Sequence, residues 1–106
     1  MMYDADLIKK VIYDTIPAEL IEQIMVFGSR ARNEATKDSD TDICIIFKDE
    51  ISREDNIKYH ACVSWAFGFT NRMATDIVMK SKCDYNRYKS VIGGIEHSIA
   101  KEGVAI

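Results

Sequence analysis

The sequence has few of the residues that build disulfide frameworks, zinc sites or membrane spans. It holds three cysteines, two histidines and one proline in 106 residues. The cysteines form no C-x-x-C pair, so neither a disulfide framework nor a zinc cluster is supported. The longest apolar run, Ile43–Phe47, is far too short to cross a bilayer. We therefore expect a reduced, cytoplasmic protein that does not enter a membrane.

An excess of basic residues is also missing. Fourteen Lys and Arg against seventeen Asp and Glu give a net charge of -3. General binders of nucleic acid or membrane surfaces carry a basic excess, so direct binding to either is not expected. The length and the 47% of hydrophobic residues fit a single domain over residues 1–106, with one core and no deep enclosed pocket.

Hydrophobic periodicity predicts helices that alternate with short buried strands. The strands are expected over Ile24–Phe27, Asp42–Phe47 and Thr75–Met79. The helices are expected from Asp4 to near Pro17, over Ser29–Ala35, from Ser52 to about Gly68, and from Asp84 to a stop at Gly103. This order predicts an α/β (α+β) fold, with a small mixed sheet of about three strands flanked by helices. A face or edge of so small a sheet is expected to be left for a partner.

Two helical faces follow from the same periodicity. In the third helix, apolar and small residues recur at helical spacing at Ile57, Ala61, Ser64, Trp65 and Gly68. In the last helix, one face carries Tyr85, Tyr88, Ile92, Ile95 and Ile99, and both tyrosines are expected in the core. One or two of the aromatic residues Trp65, Phe67 and Phe69 are expected in the core, and the rest on an exposed patch for a partner.

A glycine and a serine stand at the first strand-to-helix turn. Gly28 lets the backbone approach a ligand closely, and the following helix presents unpaired N–H groups. Phosphate oxygens suit such a turn, with the Ser29 hydroxyl as a further donor. A Gly-Ser pair alone is more often a simple turn.

Three carboxylates fall near the starts of two predicted strands. Asp40 and Asp42 are two residues apart, so in an extended chain they point to one face, where Mg²⁺ or Mn²⁺ would offset their repulsion. Asp76 lies in an otherwise apolar strand and would add a third ligand, so that two metal ions could be held. The alternatives are a solvated acidic loop, and an Asp76 paired with Arg72 or Lys80.

A calcium loop is a competing interpretation of the same acidic stretch. Asp38, Asp40 and Asp42 are spaced as calcium ligands, and Asp49 occupies the twelfth place. However, Ile43 stands where the loop needs a glycine, and an apolar strand follows. The magnesium interpretation is therefore preferred.

Together these motifs resemble a known family. Gly28-Ser29, ten intervening residues and Asp40-Thr41-Asp42 are similar to the signature of the polymerase-β-type nucleotidyltransferases. The stretch from Gly28 to Phe47 especially resembles the minimal nucleotidyltransferase (MNT) domains, and Asp76 resembles their third carboxylate. One departure is Asn33, where the family often has glycine after the second arginine.

The resemblance implies transfer of a nucleoside monophosphate, AMP from ATP, to an acceptor hydroxyl. It assigns Gly28, Ser29 and Arg30 to the nucleotide, and Asp40, Asp42 and Asp76 to catalysis and to two Mg²⁺ ions (or Mn²⁺). Only one of Arg30 and Arg32 is expected to face the triphosphate, and the other to form a salt bridge. The basic residues between Arg72 and Lys89 are either a surface that attracts anions or a solvated group.

The resemblance also implies a partner. Minimal members often act as antitoxins beside a HEPN-type ribonuclease toxin, and some transfer AMP to a tyrosine of that toxin. A chain this small is expected to need a partner protein or a second copy of itself to complete its site. Two alternatives stay open at this point: an antitoxin that neutralises its partner by binding alone, and an enzyme that modifies a small molecule such as an aminoglycoside.

Overall fold

The computed structural model describes residues 3–32, 34–36 and 39–106. The helices are α1 (Ala5–Thr15), α2 (Gly28–Ala31), α3 (Arg53–Trp65), α4 (Lys82–Tyr88) and α5 (Ile95–Glu102). The strands are β1 (Ile21–Phe27), β2 (Thr41–Phe47), β3 (Thr75–Ser81) and β4 (Val104–Ala105). A 3₁₀ turn at Ala18–Leu20 precedes β1, and a π-helical turn at Ala66–Thr70 follows α3. The predicted mixed α/β class is confirmed.

The four strands form one mixed sheet in the order β3-β2-β1-β4. β1 pairs antiparallel with β2 and with β4, whereas β2 and β3 run parallel. The three predicted strands are all present. The sequence pattern does not reveal β4, because its two exposed residues show no alternation of apolar and polar side chains. It closes the sheet at the β1 edge.

Helices cover both faces of the sheet. On one face, α1 and α3 bury apolar side chains against the strands, with Ile8, Ile12, Val63 and Phe67 fully buried. On the other, α4 and α5 cover a smaller cluster that contains Met25, Phe27, Cys44, Ile46 and Ile99. The α1 N-terminus is capped as expected, since the Leu7 N–H donates to Oδ1 of Asp4 over 3.1 Å. The two edge strands of the sheet are β3 and β4.

The third helix begins where the sequence predicts, but a different face is buried. The Ser52 hydroxyl accepts the Asp55 N–H over 3.1 Å and caps the helix. Ile57 and Trp65 were expected on the apolar face, yet they are 59% and 60% exposed. Val63 and Phe67 fill the core instead, on a face that they share with the half-buried Tyr59 at helical spacings of four residues. Phe67 is thus the core aromatic residue, and Trp65 and Phe69 are exposed.

The predicted last helix is two helices. Gly93 adopts a φ of +91°, which a continuous helix does not allow, and Gly94 becomes the N-cap of α5. The single apolar face is therefore wrong in its middle, where Tyr88 is 43% and Ile92 88% exposed. Tyr85 and Ile99 do pack on the sheet, and Gly103 ends α5 as predicted.

The second helix is shorter than expected. It ends at Ala31 rather than Ala35, where the Glu34 N–H donates to the Ser29 carbonyl oxygen and closes a wider turn than the helical one. Asn33, where the sequence departs from the family pattern, lies outside the described residues. No helix in the described part of the chain is long and apolar enough to span a membrane.

Candidate active site

Asp42 and Asp76 lie side by side at the same end of the sheet. They are register partners in the parallel pair of β2 and β3, one residue after each strand begins. Alternation along each strand places both carboxylates on the face of Cys44 and Val78, which is the face opposite α1 and α3. The two carboxylates predicted from separate motifs are therefore neighbours.

The pKa of Asp42 reflects both its burial and this crowding. Burial raises the pKa of the Asp42 carboxyl, and the negative charges of Asp76 and Asp40 raise it further. Asp40 is exposed in the connection before β2. The electrostatic effect of both neighbours on Asp42 indicates a local concentration of negative charge, which a divalent cation would relieve.

Gly28 directly follows β1, on the side of Asp42 opposite Asp76. Its φ of +71° favours glycine, and a Cβ at this position would overlap Oδ2 of Asp42. Gly28 therefore serves two purposes: it makes the turn into α2, and it leaves room for the Asp42 carboxylate. The sequence interpretation anticipated a close approach at this glycine by a ligand, and the structure shows a close approach by a side chain.

Arg30 contacts the connection that leads to the carboxylates. Its Nη2 donates to the carbonyl oxygen of Ser39 over 2.7 Å, one residue before Asp40. The Glu34 N–H donates to the Ser29 carbonyl oxygen over 2.9 Å and folds the chain back after α2. Arg30 thus ties the Gly28–Ser29 turn to the segment that carries Asp40.

Arg32 makes the salt bridge that was expected of one of the two arginines. Its Nη1 lies 2.9 Å from Oε2 of Glu102, and its Nε lies 3.1 Å from Oε2 of Glu34. The contact with Glu102 links α2 to the end of α5, 70 positions away in sequence. Glu102 had no signal in the sequence, because nothing local indicates so distant a partner.

The two lysines that follow Asp76 in the chain pair with other carboxylates. Lys80 lies 3.4 Å from Glu96 and Lys82 lies 3.4 Å from Glu22, so neither pairs with Asp76. No ion pair joins Arg72 to Asp76 among the described residues. The alternative in which a strand-end salt bridge neutralises Asp76 is therefore not observed.

Histidine and cysteine side chains take no part in this site. His60 Nε2 lies 3.0 Å from the Ile77 carbonyl oxygen and His97 Nδ1 lies 3.0 Å from the Lys89 carbonyl oxygen, so both contact backbone. Burial raises the pKa of the Cys44 thiol to about 12, as fits a small core residue. Cys62 and Cys83 are exposed and free.

The carboxylates of this site suit a hard divalent cation, but they do not form a complete coordination shell. Carboxylate oxygens are the ligands that Mg²⁺ and Mn²⁺ prefer. Across residues 3–32, 34–36 and 39–106, no three Asp, Glu, His or Cys side chains are grouped tightly enough to form a metal site. Asp42 and Asp76 are paired in register, and Asp40 lies in the connection two residues before Asp42. Asp38, the first residue of the calcium-loop interpretation, lies outside the described residues, and the would-be loop continues as β2.

Comparison of the sequence with models of protein families identifies the family of this chain. The family model of the polymerase beta nucleotidyltransferases matches residues 8–106. The chain belongs to that family. A nucleotidyltransferase of this kind has the fold described above, and the predicted family resemblance is confirmed. Among curated proteins, none matches the chain.

Solved structures share the fold of this nucleotidyltransferase domain. A toxin–antitoxin protein crystallised with AMP-PNP superposes with a TM-score of 0.70 at 19% identity, over 97% of this chain and 72% of its own. A mutant of the toxin–antitoxin MntA–HpeT gives 0.68 at 16%, over the same shares of 97% and 72%. A nucleotidyltransferase candidate from Sulfolobus solfataricus gives 0.60 at 22%, over 95% of this chain and 74% of its own.

Proposed function

We propose that this domain is a metal-dependent nucleotidyltransferase that moves AMP from ATP to a hydroxyl of a partner toxin, as the antitoxin of a toxin–antitoxin pair. The family match over residues 8–106 supports both the activity and a single catalytic domain. The main support for the location of the active site is the register pairing of Asp42 with Asp76. The glycine turn at Gly28 lies beside this pair and leaves room for the Asp42 carboxylate. The three free cysteines fit the reducing cytoplasm.

The chain's own groups divide into a phosphate side and an acceptor side. Gly28 and Ser29 follow β1, so their N–H groups and the Ser29 hydroxyl would hold the β- and γ-phosphates on one side of Asp42. Arg30 is tied to the Ser39 carbonyl, which fits a role in fixing this turn as well as in binding phosphate. Asp76 stands on the other side of Asp42, on the edge strand.

Asp40, Asp42 and Asp76 would hold two Mg²⁺ ions. When bound, such ions offset the charge that builds up on the attacking and departing oxygens. The acceptor oxygen forms a bond to the α-phosphorus, the bond from that phosphorus to the bridging oxygen of the β-phosphate breaks, and pyrophosphate leaves. Asp76, on the acceptor side, takes the hydroxyl proton. Positioning of the two substrates supplies much of the rate in this chemistry.

A protein partner is supported by an exposed aromatic pair. The rings of Trp65 and Phe69 stack with centroids 5.4 Å apart, and these residues are 60% and 74% exposed. Exposed aromatic surface of this kind is typical of protein interfaces. Two solved structures of the same fold are toxin–antitoxin proteins, and one of them holds AMP-PNP. By the family resemblance, the toxin would be of the HEPN type.

ATP labelled at the α-phosphate in one sample and at the γ-phosphate in another tests the proposal. Each sample is incubated with Mg²⁺, the purified protein and a host extract, beside an Asp40→Asn/Asp42→Asn variant. We expect label on a protein band from the α sample only, absent with the variant, and mass spectrometry of the band identifies the acceptor. If no label moves and both forms still capture the same partner, the antitoxin that acts by binding alone is the better account.

A further inference from the structure

Arg72 has the most unusual backbone among the described residues. Its φ of +51° makes it the one non-glycine residue with a positive φ in the described part of the chain. Side chains with a Cβ rarely adopt this left-handed conformation, and a bulky one seldom does so without a reason. The residues on both sides of it are held in place by hydrogen bonds.

Four hydrogen bonds fix the segment around Arg72. Asn71 donates to the Ala66 carbonyl oxygen twice, from its backbone N–H over 3.3 Å and from Nδ2 over 2.9 Å. The Met73 N–H donates to the Phe67 carbonyl oxygen over 2.9 Å. The Ala74 carbonyl oxygen then accepts the Thr41 N–H over 3.0 Å. The π-helical turn and β2 together hold Arg72 in its conformation.

The side chain of Arg72 is exposed and makes no ion pair or hydrogen bond within the described residues. This distinguishes it from Arg32, Lys80 and Lys82, which all pair with carboxylates. A guanidinium on a fixed backbone loses less freedom when it binds an anion than one on a mobile loop. Arg72 is therefore a cation held ready near the start of β3.

Its place in the sheet indicates which anion it meets. Arg72 is four residues before Asp76, and Ala74 is bonded to Thr41, the neighbour of both Asp40 and Asp42. Gly28 and Ser29 follow β1, which is two strands away from β3, or about 10 Å across the sheet. Arg72 thus lies on the flank of the edge strand and not on the flank that would hold the triphosphate.

We propose that Arg72 is a specificity-determining residue that binds a carboxylate of the acceptor protein, next to the hydroxyl that is modified. This inference rests on the proposed function for the identity of the acceptor side. The guanidinium would receive the carboxylate through two parallel N–H donors. An acidic residue there also needs a nearby cation, because the site itself is rich in negative charge.

Two synthetic peptides test this inference. Each carries a single tyrosine, flanked by glutamates in one peptide and by glutamines in the other. Their binding is measured by fluorescence anisotropy with Mg²⁺ and AMP-PNP present, for the wild type, Arg72→Ala, Arg72→Lys and Arg53→Ala. Arg53 is an exposed arginine at the start of α3 and serves as the matched control. Label transfer from α-labelled ATP is followed in parallel.

We expect the wild type to bind the glutamate peptide about tenfold more tightly than the glutamine peptide. Arg72→Ala should lose this preference, Arg72→Lys should keep part of it, and Arg53→Ala should keep all of it. The KM for ATP should be the same in all four proteins. The inference is overturned if neither peptide binds, if the wild type shows no preference, or if Arg72→Ala keeps it.

The binding readout separates this inference from the proposed function. Asp42→Asn should bind the glutamate peptide with the same preference while it transfers no label. If the wild type transfers no label to any acceptor and its peptide preference still depends on Arg72, the proposed reaction is wrong and the binding of an acceptor carboxylate by Arg72 is supported. If transfer occurs and does not depend on Arg72, the proposed reaction is supported and the role of Arg72 in binding the acceptor is wrong.

Discussion

The carboxylate of Asp42 occupies the space where a side chain on Gly28 would lie. Because the φ of Gly28 is also +71°, a glycine is needed at this position both for the turn and for the approach of Asp42. The turn after β1 and the carboxylate of β2 are therefore built as one unit.

The first prediction follows from that contact. Gly28→Ala should lower the free energy of unfolding by about 2 kcal/mol or more, from the strain of a left-handed alanine and from the displaced Asp42. It should also abolish label transfer. Gly68→Ala is the matched control, because a Cβ at Gly68 meets nothing within 4 Å and should leave stability nearly unchanged. Urea unfolding of both variants measures the difference, and an equal loss in both would refute the contact.

The pH dependence of stability gives a second prediction. Since the pKa of Asp42 is raised in the folded protein, its ionisation weakens folding as the pH rises from below its ordinary value through the raised one. The loss is fully present at neutral pH and absent in acid. Asp42→Asn should therefore be more stable than the wild type at pH 7, with a difference that shrinks towards pH 4.

Thermal unfolding of both proteins across that pH range measures whether the stability difference between Asp42→Asn and the wild type has the expected sign. Asp49→Asn, at an exposed position after β2, controls for the loss of one negative charge elsewhere on the protein. A stability gain for Asp42→Asn that is the same at every pH, or matched by Asp49→Asn, would contradict the crowding of the three carboxylates.

The Arg32–Glu102 contact gives a third prediction. The pair joins α2 to α5 but is partly exposed, so its effect on stability should be small. Arg32→Ala and Glu102→Ala should each lower the melting temperature by roughly 2–4 °C, and the double variant by little more than either one. Lys10→Ala removes a more exposed pair with Asp14 and should have no measurable effect. Strictly additive losses at Arg32 and Glu102 would show that the two residues act independently.

The exposed aromatic pair gives a fourth prediction. Trp65 is the one tryptophan of the chain, so its fluorescence reports on this surface alone. Binding of the acceptor protein should shift the emission to shorter wavelength, as the ring loses contact with water. Phe69→Ser should weaken that binding at least tenfold, whereas Ile92→Ser, on a still more exposed apolar residue of the α4–α5 connection, should not. An unshifted emission spectrum in the complex would place the partner elsewhere.

The main features of the site could be predicted from the sequence because short-range motifs carry them. One motif is the turn at Gly28, and the other is the start of β2 with Asp40 and Asp42. In both, the spacing along the chain determines where the residues lie relative to one another. Asp76 was found as a charge in an apolar run, and the parallel pairing of β2 with β3 then placed it opposite Asp42. The fold class followed from the alternation of apolar runs with helical segments.

What the sequence did not reveal depends on backbone detail or on distant contacts. The break between α4 and α5 lies at Gly93-Gly94. The apolar periodicity does not indicate this break, because apolar residues recur at helical spacing on both sides of it. The apolar spacing in α3 also does not decide which of two faces is buried, the face of Val63 and Phe67 or the face of Ile57 and Trp65. The two-residue strand β4 and the Arg32–Glu102 pair each need a partner far along the chain, which no local pattern can supply.

Binding of Mn²⁺ tests the central claim most directly, because it reports on the carboxylates whatever the acceptor is. The electron paramagnetic resonance signal of free Mn²⁺ is followed during titration of the protein with AMP-PNP present. The wild type should take up two ions per chain. Asp42→Asn and Asp76→Asn should each lose most of this binding, while Asp84→Asn, in α4, should match the wild type. Unchanged Mn²⁺ uptake by Asp42→Asn would contradict the assignment of these carboxylates as a metal site.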